Sequence, residues 1–294
     1  MRGVAAMDNA RMGRRILAGL GRLLVVGLLG LLGATAQASW PTSIGSNGDD
    51  EVVVVRTSTT GDIYVAGHFR GSVTLGERTL IAQGLQDIFV ARFNAGGQAV
   101  WAVSAGGVST DTVREMTLDE ANNLYLVGDF FDAAQFSGLQ LNAASASATS
   151  GFLARLDTLG NWQWARRMAG RSGENDNVRV SGVVSLPGDS SIIPPVPESV
   201  VVSGGYQCQI DFDEGAGDNV ILNNGNCLEG DGDLFIARYS ATGDLIWAVD
   251  RGVAATGSEQ ADGLVIDDDN RVYLGGSRAG GGTRVLPNQN FNGA

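Results

Sequence analysis

The segment DIFVARFNAGGQAVWAV, residues 87–103, returns as GFLARLDTLGNWQWARR at 151–167 and as DLFIARYSATGDLIWAV at 233–249. Such a phrase, written three times, states how the chain is built. Trp40, Trp101, Trp164 and Trp247 are spaced by 61, 63 and 83 residues, so the array has units of about 61–63 residues and one expanded unit. The units run over about 40–105, 106–170 and 171–252, with a partial fourth at 253–294.

Each unit reads as two strong hairpins joined by a weaker one. The first turn places Gly61, Asn122 and Asn270 three residues before Tyr64, Tyr125 and Tyr273. Glycine and asparagine best tolerate the left-handed backbone region. Six residues before those tyrosines stand Ser58, Asp119 and Asp267, whose side chains can bond back to the turn amides. In the second turn Gly97, Gly160 and Gly243 each follow Phe93, Leu156 or Tyr239 by four residues, the spacing of a type I turn closed by a left-handed glycine. Both alternating faces of DIFVARF are largely apolar, which implies a sheet covered on both sides. Ala91, Ala154 and Ala237 leave room for a neighbouring sheet, and the tryptophans anchor the outer strand of each unit. The expected class is all-β, a β-propeller of four-stranded sheets around an axis. An open β-solenoid is the alternative.

The order GSNGDDE, then TTGDIYVAGHFRGSVTLG, then DIFVARFNAGGQAVWA resembles the bacterial β-propeller repeat described as seven-bladed, across essentially all of residues 40–294. The chain departs from that pattern with Arg92, Arg155 and Arg238 at positions where lysine is common, with Gly151 where an aspartate is usual, and with its swollen third unit. The resemblance implies architecture and export to the periplasm, cell surface or medium. It supplies no catalytic residues.

Residues 1–38 read as a secretory signal: Arg11, Arg14 and Arg15, an apolar run from Leu23 to Leu32, and a small-x-small site at Ala36–Ala38. The domain expected after it is 39–294, with no membrane span. Without the leader the chain carries 15 basic and 31 acidic residues, a formal charge of −16. That balance disfavours nucleic acid, whose phosphates need a basic footprint. The chain has no lysine, which excludes a Walker A loop and Schiff-base chemistry. No cofactor or metal is implied.

Cys208 and Cys227 are the only cysteines, and in an oxidising compartment they are expected to form a disulfide. A hairpin centred between Gly217 and Asp218 places them opposite one another. The third unit also carries the Pro-rich stretch SLPGDSSIIPPVPES, 185–199, expected to stay irregular and to mark a face that can bind. Asp267–Asn270 and Gly230–Asp233 are acidic enough to suggest calcium, but both suit turns or strand starts better. Asp50, Asp111 and Asp176 follow the tryptophans by ten, ten and twelve residues and are expected to fix a loop in every unit. His68, the single histidine, is expected in a solvated loop. The functional expectation is a non-catalytic scaffold or recognition module for a protein or glycan, its ring completed by another chain or by further blades. The alternative is a hydrolase or lyase of extracellular polysaccharide using two of the many carboxylates.

Overall fold

The computed structural model describes residues 45, 48–191, 194–212, 221–223, 232–251, 259–278 and 283–286, and among them every regular element is a strand. The first unit comprises β1 (Glu51–Thr57), β2 (Ile63–Phe69), β3 (Ser72–Leu75), β4 (Arg78–Ile81), β5 (Asp87–Phe93) and β6 (Ala99–Ala105). Four of these form one antiparallel sheet in the order β1-β2-β5-β6, and β3-β4 is the small hairpin between its second and third strands.

The pattern repeats with β7 (Asp111–Leu118), β8 (Leu124–Phe130), β9 (Ala133–Phe136), β10 (Leu139–Asn142), β11 (Ser150–Leu156) and β12 (Trp162–Met168). It repeats again with β13 (Val178–Leu186), β14 (Ser199–Gln207), β15 (Gln209–Asp211), β16 (Ile221–Asn223), β17 (Gly232–Ser240) and β18 (Leu245–Asp250). A fourth sheet contains β19 (Glu259–Ile266), β20 (Val272–Arg278) and β21 (Thr283–Leu286). These sheets are propeller blades. Their first strands pack in series, β1 on β7, β7 on β13 and β13 on β19. The ring is not closed, and on β1 Val52, Val53 and Val55 remain exposed.

The turns obey the chemistry written into them. Gly61, Asn122 and Asn270 have φ of 85°, 62° and 60°, and Gly97, Gly160 and Gly243 have 79°, 84° and 85°. The Asp119 carboxylate accepts from the Asn123 amide at 2.7 Å, and Asp267 accepts from the Arg271 amide at 2.9 Å. At the second turn the same capping is done by Asn94, Asp157 and Ser240, which accept from the amides of Gln98, Asn161 and Asp244. Between blades the linker adds an antiparallel bridge to the next small hairpin: Gly45 to Thr74, Gly106 to Gln135, Ala169 to Asp211.

The repeated phrase exists because it carries the joint between blades. Trp101 on β6 donates its indole N–H to the Thr158 carbonyl of the next blade at 3.0 Å, and Trp164 on β12 donates to Ala241 at 3.0 Å. Each indole lies against the left-handed glycine of that turn. A Cβ on Gly160 would stand 2.8 Å from the Trp101 ring, and one on Gly243 would stand 2.8 Å from Trp164. Glycine is therefore required twice, by its backbone and by the ring over it. Arg92, cross-strand to Trp101, stacks over Tyr64 at 5.8 Å and donates to the same Thr158 carbonyl at 2.8 Å. In the second blade Arg155 stacks over Tyr125 at 5.6 Å.

Beneath this lies an apolar core in which Phe89, Phe152 and Phe235, with Ala91, Ala154 and Ala237, are fully buried.

Substitution Gly243→Ala should therefore cost more stability than Gly173→Ala. Both glycines are left-handed, but nothing lies within 4 Å of a Cβ at Gly173. Gly173→Ala should show only the backbone penalty of about 1 kcal/mol, and Gly243→Ala clearly more. Equal losses in urea melts would refute the indole-on-glycine joint.

Candidate functional site

The first strands do more than pack. Each carries a register shift at the same place: between Val52 and Val54, Val113 and Glu115, Val180 and Gly182, and Ala261 and Gly263. These are β-bulges, which leave one residue unpaired and re-aim its side chain. The unpaired residues are Val53, Arg114, Ser181 and Asp262. Strand two accommodates each bulge with a glycine. Cβ atoms on Gly67, Gly128 and Gly204 would fall 1.9, 2.0 and 2.0 Å from the carbonyls of Glu51, Thr112 and Arg179.

Arg114, Ser181 and Asp262 converge on one cleft of about 480 Å³ at the starting ends of β7, β13 and β19. Its basic wall is built around Asp129, which is almost fully buried. The Asp129 carboxylate is bonded to Nε of Arg114 and accepts from the Val180 amide at 3.2 Å, tying the second blade to the third. Burial pushes Asp129 up from the ordinary carboxylate range, and Arg114 and Arg179 oppose that rise. The first strand of the fourth sheet, β19, supplies Glu259, Gln260 and Asp262.

An amide network forms the floor: Asn177 accepts from the Thr149 amide and hydroxyl, both at 3.0 Å, and donates to Gln207 Oε1 at 2.9 Å. Tyr206 closes one side, its hydroxyl donating to Asp250 at 2.6 Å. Charges of both signs lining one cleft suit the recognition of a polar, charged ligand. Two outer grooves of about 600 and 590 Å³ are larger, but they are lined by the small hairpin β9-β10 and by the repeated turns at Gly160 and Gly243.

The positions singled out in the sequence fall mostly elsewhere. The Pro-rich stretch connects β13 to β14 at the ends away from the cleft, and apart from one bridge between Asp189 and Val196 its described residues are irregular between the two strands. His68 pairs with Glu51 at 3.1 Å near the end of β2, so it belongs to a strand and not to a loop. Asp267 spends its oxygens on its own turn. Desolvation opposes its ionisation, yet bonds from the Arg271 amide, the Tyr273 hydroxyl and the Arg271 guanidinium hold it down at about 2. Of Gly230–Asp233, residues 230 and 231 lie outside the described residues. Asp111 and Asp176 do fix linkers, accepting from the amides of Gly107 at 2.8 Å and Arg171 at 3.4 Å.

The cysteine hairpin forms, but not in the expected register. Gln209 faces Asn223, three residues out of step with a ladder that would set Cys208 opposite Cys227. The observed pairing places buried Ile210 opposite Leu222, where the expected one would have set it against Gly225. Apolar contact decided the register over turn composition. Cys208 is buried at a left-handed φ of 58°, and no described cysteine is free. Cys227 lies outside the described residues. With a Cys208–Cys227 disulfide in place, Cys208→Ser should lower stability by on the order of 2 kcal/mol under oxidising conditions and not under reducing ones; equal melting in both would rule the bond out.

A second feature joins Asp111 to a residue that the repeat pattern does not single out. Asp87 and Asp111 are buried at 1 % and 0 % exposure at the joint between the first two blades, around the linker at Gly106. Asp87 accepts from the Gln83 amide at 2.9 Å, and each carboxylate keeps one buried oxygen without a partner among the described residues. Burial drives Asp111 up to about 7, with the Gly107 amide opposing and Asp87 adding to the rise. A raised carboxylate binds more protons in the folded state than in the unfolded chain above the ordinary pKa of 3.8. Stability should therefore fall as pH rises from about 4 through about 7. Asp111→Asn should flatten that slope in melting curves and raise the melting temperature at pH 8.

No family model matches the chain. It is similar to a protein of Acanthamoeba polyphaga mimivirus described as "Uncharacterized WD repeat-containing protein L264", at 22 % identity over 256 residues. The match covers 76 % of this chain and 17 % of that protein, so the chain spans under a fifth of the relative's length. Both the repeat and its antiparallel sheets are those of a β-propeller.

Proposed function

We propose that the chain is a non-catalytic propeller module, a scaffold whose axial cleft recognises a protein or a glycan. The observation that carries this reading is the cleft itself, where unlike side chains from three blades meet on a frame that otherwise repeats. The similarity to a WD repeat-containing protein supports the propeller frame on which this reading rests. The bacterial type of repeat, the signal at 1–38, export to the periplasm, cell surface or medium, and ring completion by another chain or by further blades belong to the same proposal. They rest on the sequence patterns given above.

A second reading has one observation in its favour: Glu259 and Asp262 both line the cleft, and a pair of carboxylates suffices for glycoside chemistry. A panel of acidic and neutral polysaccharides decides between them. Saturable binding without shortened products is expected of the module. Product formation abolished by Asp262→Asn or Glu259→Gln would establish the enzyme.

A further inference from the structure

The four blades permit an internal comparison that separates frame from code. On the first strands, the residue just before each bulge is Val52, Val113, Val180 or Ala261, always apolar. The bulge residues Val53, Arg114, Ser181 and Asp262 share no chemistry at all. The residues two positions earlier, Glu51, Thr112, Arg179 and Gln260, are all polar but differ in charge and size. The fold needs the bulge, as the strand-two glycines show, but it does not need any particular side chain on it. Identical backbone and unlike chemistry at one end of the axis mark positions fitted to something outside the frame.

Resting on the recognition reading above, we infer that these positions bind a polypeptide segment carrying an acidic side chain beside a basic one. The acid is held between Arg114 and Arg179, and the base by Asp262. Arg114 lines the cleft and is tethered through Nε to buried Asp129, so its terminal nitrogens are not used in that bond, and its side chain is 38 % exposed. Arg179 lies close enough to act on Asp129 but has no hydrogen bond or ion pair among the described residues. One carboxylate thus faces two guanidinium groups, and that wall is locally positive on a chain of net charge −12. In the same cleft, Asp262 is exposed and likewise without a partner among the described residues. A ligand of one sign would satisfy one wall and be repelled by the other. A segment bearing both signs satisfies the two together.

The test uses the full chain and three fluorescein-labelled octapeptides, of alternating Glu and Lys, of Glu alone, and of Ser and Gly, followed by fluorescence polarisation at low salt. The alternating peptide should bind at least about tenfold more tightly than the uncharged one, and Arg179→Gln should remove about tenfold of that affinity. Asp262→Asn should weaken the alternating peptide and strengthen the all-Glu peptide. Arg179 makes no side-chain hydrogen bond or ion pair among the described residues, so its variant keeps the fold intact where Arg114→Gln would strand Asp129. Equal binding of the alternating and uncharged peptides, or an unchanged affinity in Arg179→Gln, overturns the inference. Binding of oligogalacturonate but of no peptide overturns the polypeptide ligand and leaves the recognition reading standing; shortening of that glycan overturns both.

Discussion

An indole laid on a left-handed glycine of the next blade is the contact on which this array depends. A single blade is two hairpins with apolar faces on both sides, and it cannot shelter either face alone. The tryptophan of the fourth strand commits each blade to its successor, covering the turn and satisfying a carbonyl there. The cross-strand row of tyrosine, arginine and tryptophan then makes sense as one device. Arginine serves well in it because a planar guanidinium stacks on the tyrosine ring and still donates across the joint.

The frame was legible because its chemistry is local. A left-handed turn selects glycine or asparagine within four residues of a strand end, and Gly61, Asn122, Gly97 and Gly160 announce themselves without knowledge of anything distant. The site was not legible, because nothing local distinguishes Arg114 or Asp262 from any other polar residue on a strand. A signal did exist in Gly67, Gly128, Gly204 and Gly276, glycines inside strands, which mark bulges or close backbone approach. The cysteine hairpin shows the opposite failure. Its turn was read from composition, whereas the burial of Ile210 against Leu222 set the pairing three residues away.

The aspartates show why position and role separate in a repeat. Asp111 and Asp176 do the same work on a linker amide, yet Asp176 sits ahead of its strand and is paired with Arg171 at 2.7 Å, whereas Asp111 begins β7 near Asp87 and has no ion pair among the described residues.

The joint between blades also sets an order of events. Trp101 is separated from its carbonyl partner by 57 residues and Trp164 from its own by 77. Contacts so distant along the chain make for slow folding. A chain emerging N-terminus first would present each indole uncovered until most of another blade had been synthesised. The intermediate at every stage is a stack ending in one greasy, sticky face, and the array's passage through synthesis is governed by how long that last tryptophan waits.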